Sequence, residues 1–226
     1  MKKHLLFLLF IIFSECTESN LAFHPGTNTS DGILKLVKNF GGSKNDVAKS
    51  VVSTLDGGFA VLGYTQSIDG DVTDKATEDY DFWMLKFDSE AQLEWNKTYG
   101  GSGDDRGSSI IETSDGGYAL LGYSDSSDGD ISSNNGNRDF WLVKINDSGV
   151  VAWEKSFGYG GVDEGVSIIE TSDNHFILSG ILDVTASGGE GNQGRFSTKH
   201  AGGDYWSIKI SPTGDIIWSR FYGGSF

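Results

Sequence analysis

The sequence has little cysteine, proline or histidine, and its basic residues are outnumbered. A single Cys in the chain excludes an internal disulfide framework and any zinc site built on thiolates. Two Pro stand beside 32 Gly, a balance that implies many tight turns without the strict triplet of collagen. The four histidines, His4, His24, His175 and His200, are scattered, and no Ser-His-Asp grouping follows from their spacing. Lys and Arg number 17 against 32 Asp and Glu, a net charge of −15. Such a surface repels phosphate backbones and excludes nucleic acid as a partner. There is no GxGxxG on a strand-to-helix turn and no P-loop. What is present is 37% hydrophobic and 12% aromatic residues in 226, too rich for a disordered acidic tail. The chain reads as an acidic, turn-rich, all-β protein.

The longest apolar run, Leu5 to Phe13, follows Lys2 and Lys3. Nine residues rise only about 13 Å as a helix, short of a bilayer core of about 30 Å. Residues 1–16 therefore read as an export signal and not as a membrane span. The run ends in Phe13-Ser14-Glu15-Cys16, which resembles a bacterial lipoprotein signal in which Cys16 is lipidated as the first mature residue. Glu15 at the −1 position departs from that pattern. Ordinary cleavage after Cys16, with Ser14 and Cys16 as the small residues, is the alternative. The expectation is an exported chain, secreted or held at the cell envelope, touching a membrane only through a lipid on Cys16. Residues 17–30 form a polar linker.

The rest is one unit repeated. Trp95, Trp153 and Trp218 are spaced 58 and 65 residues apart, and so are Trp83, Trp141 and Trp206. Gly41, Gly100, Gly158 and Gly223 keep nearly the same rhythm. The repeats run over about 41–99, 100–157 and 158–222, with 223–226 opening a further one. Each contains four short strands, A to D. In the first they are Val47–Thr54, Phe59–Thr65, Asp81–Phe87 and Leu93–Tyr99, with Asp56-Gly57-Gly58 turning a hairpin between A and B. The second has Ser108–Thr113, Tyr118–Ser124, Asp139–Ile145 and Val150–Phe157. The third has Val166–Thr171, Phe176–Ile181, Asp204–Ile210 and Asp215–Tyr222, and Asn174-His175 replaces its hairpin glycines.

Four strands per roughly sixty residues is the pattern of a propeller blade. The expected fold is β-propeller-type: three four-stranded antiparallel blades and a lone strand over residues 31–41 that matches strand D. Phe82/Trp83 and Phe140/Trp141 are expected to fill the space between blades. Asp81, Asp139 and Asp204 read as strand-capping groups, and Gly63, Gly122 and Gly180 as points of close backbone approach. Three blades leave the ring incomplete, since propellers close with four to eight. The chain is then a piece of a longer reading frame, or it self-associates to complete the ring or stands as an open arc.

The combination GGSxxDxxxSxxxTxDGGFAVLGYTxSxDGDV followed by DFWxLKxDSxGxxxW over residues 31–226 resembles the tandem repeats of exported bacterial β-propeller-like proteins. These stand near the quinoprotein-dehydrogenase-like and galactose-oxidase-like propeller groups, and many carry a lipoprotein signal. The resemblance implies the repeat class and supplies no catalytic residues; some relatives bear endoglucanase-like labels.

The long B–C loops, Gln66–Tyr80, Asp125–Arg138 and Leu182–Gly203, share a rim with the D–A turns that carry Asp46, Asp105 and Asp163. Function is expected there. Asp69-Gly70-Asp71 and Asp128-Gly129-Asp130 place hard oxygen ligands close together, so Asp69, Asp71, Asp128 and Asp130 are candidates for Ca²⁺, with solvated turn carboxylates as the other reading. The expected function is non-catalytic: an exported or cell-surface binding or scaffold module whose ligand is a carbohydrate or a surface protein. The alternatives are a fragment of a secreted polysaccharide hydrolase and a truncated product without a role of its own.

Overall fold

The computed structural model describes residues 38–183 and 204–222. The expected signal with Cys16, the expected linker, all of the expected lone strand before Lys38, the 184–203 stretch of the third B–C loop and residues 223–226 lie outside them. Among the described residues the chain is all-β, with twelve strands and no helix, hence no helix able to cross a membrane. The first blade is β1 (Asp46–Ser53), β2 (Phe59–Thr65), β3 (Asp81–Phe87) and β4 (Leu93–Tyr99). The second is β5 (Asp105–Glu112), β6 (Tyr118–Ser124), β7 (Asp139–Ile145) and β8 (Val151–Phe157). The third is β9 (Glu164–Glu170), β10 (Phe176–Leu182), β11 (Asp204–Ile210) and β12 (Ile216–Tyr222). Each blade is an antiparallel meander in sequence order.

The expected B and C strands agree with the observed ones to within a residue, whereas the A strands of the second and third blades start earlier. The pairing of β5 with β6 slips between Gly107 and Ser109, and that of β9 with β10 slips between Ser179 and Gly180. A bulge there breaks the alternation from which a strand is read. The third hairpin turns without glycine because Asn174 itself takes the left-handed conformation, at φ 61°, as Gly57 and Gly116 do in the other blades.

Successive blades stack through their faces. β5 lies against β1, β2 and β3, and β9 against β5, β6 and β7. Alternation along β2 and β3 sends Ala60, Leu62, Phe82 and Met84 toward the second blade, where they meet Ile110, Leu120, Trp141 and Val143. The next seam joins Ala119, Leu121, Phe140 and Leu142 to Ile168, Leu178, Trp206 and Ile208. Phe82 lies 4.7 Å from Trp141 and Phe140 lies 4.8 Å from Trp206, centroid to centroid; such pairs add about 0.5–1.5 kcal/mol beyond the area they bury. The expected placement between blades holds for Phe82, Phe140 and Trp141, whereas Trp83 lies on the other face of the first blade with Val61, Val72 and Leu85. Gly122 and Gly180 sit beneath Phe82 and Phe140. A Cβ on either would come closer than 3.0 Å to that ring and to the carbonyl of Arg106 or Glu164.

Polar contacts lock the same seams. The Leu55 amide donates to Glu112 at 2.9 Å, and the Ser114 amide to Glu170 at 2.7 Å. Tyr99 donates to the Gly149 carbonyl at 2.8 Å and Lys97 to Ser148 at 3.1 Å. Lys38 makes the corresponding reach to Gln92, at 2.8 Å, and Phe40 meets Phe87 edge-on at 5.1 Å. The end of the expected lone segment thus touches the first blade as β4 touches the second, although Lys38–Phe40 are not themselves in a strand.

The outward face of the third blade is different. Where the first two carry Leu62 and Leu121, it has Ser179; where they carry Met84 and Leu142, it has Ser207; where they carry Phe82 and Phe140, it has Tyr205. Tyr205 is 52% exposed and Ile181 47%, against 0% for Phe82 and Phe140.

Candidate functional site on the loop rim

The D–A turns and B–C loops emerge together, as expected, and they are tied to each other. Asp69 Oδ1 accepts the Ser43 amide at 2.7 Å and Asp71 Oδ2 accepts the Gly41 amide at 2.9 Å. One blade on, Asp128 Oδ1 accepts the Ser102 amide at 2.7 Å and Asp130 Oδ2 accepts the Gly100 amide at 3.1 Å. The amides of Asp71 and Asp130 answer with bonds to the Gly41 and Gly100 carbonyls, each 3.0 Å. Gly70 and Gly129 have φ of 66° and 65°, and a side chain on either would strike those carbonyls. The residue after each motif, Val72 or Ile131, is buried in the core. All four calcium-candidate carboxylates therefore hold the neighbouring turn to the loop through backbone amides. The Ser43 amide is also the main reason the Asp69 carboxyl sits below the usual range, while burial raises Asp130. Among the described residues, no group of three or more His, Cys, Asp or Glu is placed to hold a metal ion.

A second tie lies beneath the first. Asp46 Oδ2 accepts the Gly42 amide at 2.8 Å and the Ser67 hydroxyl at 3.1 Å. Asp105 Oδ2 accepts the Gly101 amide at 2.7 Å and the Ser126 hydroxyl at 2.8 Å. Ser67 and Ser126 in turn accept the amides of Lys44 and Gly103, at 3.0 and 2.7 Å. In the third blade the Asp183 amide reaches Asp163 Oδ1 at 2.7 Å.

Between blades, at the start of the inner strands, runs a ladder that sequence reading missed. The Arg106 guanidinium lies 4.0 Å from the Tyr80 ring centre and 5.0 Å from that of Tyr64. Arg138 lies 4.5 Å from Tyr123, and pairs with Glu164 at 2.8 Å and Asp104 at 3.4 Å. Two of the four arginines in the chain are thus spent on joining blades, each also covering a face of a tyrosine ring. The contacts join residues about 15 to 42 positions apart and leave no local pattern.

Asp81 and Asp139, which open the third strands of the first two blades, are buried at the seams, and Asp204 opens that of the third. Asp81 pairs with Lys75 at 2.9 Å, and Lys75 also bonds Asp79. Asp139 Oδ2 accepts the Asn135 amide at 2.7 Å. Burial pushes the Asp81 carboxyl up to about 7, with Lys75 pulling against it. Burial, and then the like charge of Asp163, pushes Asp139 up to about 6. These are stronger perturbations than strand caps need. Because the arrangement recurs from blade to blade, it belongs to the architecture more than to a single reaction centre.

The opposite rim repeats another device. Asp56, Asp115 and Asp173 bond Thr54, Thr113 and Thr171, and receive Lys86, Lys144 and Lys209 at 2.7, 2.9 and 2.9 Å. His175 lies on this rim, its Nδ1 2.8 Å from the Asp173 carbonyl, remote from the B–C loops; His24 and His200 lie outside the described residues.

No family model matches the chain, and no curated protein does. Among solved structures, it is similar to a variant of the Synechocystis apocarotenoid oxygenase, with 12% identity and a TM-score of 0.39. That match covers 77% of this chain and 38% of the oxygenase, so the chain spans less than half the length of the protein it matches.

Proposed function

We propose that this protein is an exported or cell-surface binding module of the propeller-like repeat class, presenting its B–C rim to a carbohydrate, with no reaction of its own. One observation carries the reading: the rim loops are clamped at both visible Asp-Gly-Asp motifs by carboxylate-to-amide bonds. A loop fixed before binding loses little conformational freedom on binding, so modest polar contacts suffice for recognition. Exposed Asp69, Thr73, Asp74, Thr77 and Glu78 in one loop, and Asp125, Asp128, Ser132 and Ser133 in the next, offer the hydroxyls and carboxylates that match sugar hydroxyls. The repeat resemblance and the signal over residues 1–16 support export, and Cys16 is the proposed lipidation site.

Chain 17–226 is to be applied to immobilised polysaccharides and a glycan array, with reducing-end release measured in parallel. Retention without release is expected, weakened by substitutions at Thr73, Thr77 and Ser132. Release of sugar that disappears on substituting rim carboxylates would replace this reading with a hydrolase; retention by surface proteins alone would move the ligand class to protein.

A further inference from the structure

Each seam brings two buried aspartates of different blades together. The Asp105 amide donates to the Tyr80 carbonyl at 2.6 Å, and the Asp163 amide to the Arg138 carbonyl at 2.7 Å. These bonds set Asp81 beside Asp105 and Asp139 beside Asp163, around Gly100 and Gly158. At the second seam Asp139 Oδ1 and Asp163 Oδ2 both lie closer than 3.0 Å to the point where a Gly158 side chain would start. Asp139 and Asp163 are each 0% exposed.

Their bonding is unequal. Both Asp163 oxygens accept amides, from Tyr159 and Asp183, each at 2.7 Å. Asp139 accepts the Asn135 amide on Oδ2, and its buried Oδ1 has no donor. Among the described residues, Arg138 is engaged with Glu164 and Asp104. The first seam differs, since Lys75 pairs with Asp81 and Asp79 and partly neutralises the pair, and Asp105 Oδ1 has no donor. Two buried carboxylates packed around one glycine cannot both be ionised without large cost.

We propose that the seam between the second and third blades is closed by a proton, taken from solvent and carried on Asp139 Oδ1, which Asp139 donates to the Asp163 carboxylate, so that the blades hold together more tightly in mildly acidic surroundings. Asp163, with both oxygens already accepting amides, stays the acceptor. Lowering pH supplies the donor that Asp139 Oδ1 lacks; raising it removes the proton and leaves two facing charges. This device is independent of what the rim binds.

The sign follows from linkage. A carboxyl raised in the folded chain gives stability that is complete below its unfolded value of 3.8 and lost as pH rises through about 6. The test is carboxyl carbon NMR of chain 17–226 with pH, Asp139 being assigned by its loss in Asp139→Asn, together with urea midpoints of both chains from pH 4 to 8. The Asp139 signal is expected to titrate near 6. The folding constant of the wild type should fall about a hundredfold relative to Asp139→Asn across that range, since the amide donates at every pH. If Asp139→Asn does not fold, Asp163→Asn provides the second readout and should shift the Asp139 titration downward. A signal titrating near 4, or parallel stability curves, overturns the proposal. So does an Asp139 midpoint that calcium lowers and a chelator restores, which would make the pair a cation site.

Discussion

Replacing Asp128 separates a clamp from a cation site. Its Oδ1 accepts the Ser102 amide at 2.7 Å at the surface. A hydrogen bond to a charged group contributes about 1.5–3 kcal/mol, and exposure places this one at the lower end. Asp128→Asn keeps an acceptor oxygen and should cost only about 0.5 kcal/mol. Asp128→Ala removes it and should cost about 1.5 kcal/mol, a fall in melting temperature of about 3–6 °C for a chain of this size. A calcium ion present at a hundred times its dissociation constant would instead stabilise the fold by about 2.7 kcal/mol, several times the expected Asn effect. Thermal melts of wild type, Asp128→Asn and Asp128→Ala in millimolar calcium and in chelator therefore decide the matter. The clamp requires the order wild type, Asn, Ala with no calcium dependence. A wild-type midpoint that rises with calcium and a rise absent from Asp128→Asn would refute it.

Phe140→Ala empties a fully buried ring site between the second and third blades and should cost about 3–5 kcal/mol by urea unfolding; a cost below 1 kcal/mol would mean the seam collapses freely. Gly122→Ala drives a methyl into the Arg106 carbonyl and the Phe82 ring and should lose about 1–3 kcal/mol, whereas Gly116→Ala, with nothing within 4 Å but a φ of 85°, should lose about 1 kcal/mol through backbone strain alone. Equal losses would sink the close-approach argument. On the acid side, Asp115 is held down to about 2 against the cost of its burial by Thr113 and Lys144. A depressed carboxyl gives stability present above 3.8 and lost as pH falls through about 2, so Lys144→Met should flatten the acid limb of the melting curve between those values; an unchanged limb would remove Asp115 from the account.

Much of this architecture was legible because stacking imposes a cadence. Every blade needs a Trp on one face and an aromatic on the other, so Trp83, Trp141 and Trp206 recur in register and fix strands β3, β7 and β11 to the residue. What escaped reading is what changes chemical type while keeping its job. The three indole N–H groups donate to Asn96, Glu154 and Ser219, at 3.1, 2.9 and 2.7 Å, equivalent positions that share no letter. The Asp-Gly-Asp motifs were visible as dense carboxylates, yet their partners are backbone amides of a turn some thirty residues earlier, and an amide has no sequence signature. Arg106 and Arg138 were passed over because their partners across the seam, Tyr64 and Tyr80 for the first and Glu164 for the second, are reached only after the blades are stacked.

The altered face leaves the third blade the least firmly packed of the three among the described residues. In a linear array each module is stabilised by its neighbours, and among the described residues the middle sheet is covered on both sides, whereas β9–β12 are covered on one and carry hydroxyls on the other. Amide hydrogens of β6 and β7 should therefore exchange most slowly and those of β12 soonest, and heat or pulling force should unzip the array from its Tyr205 side inward.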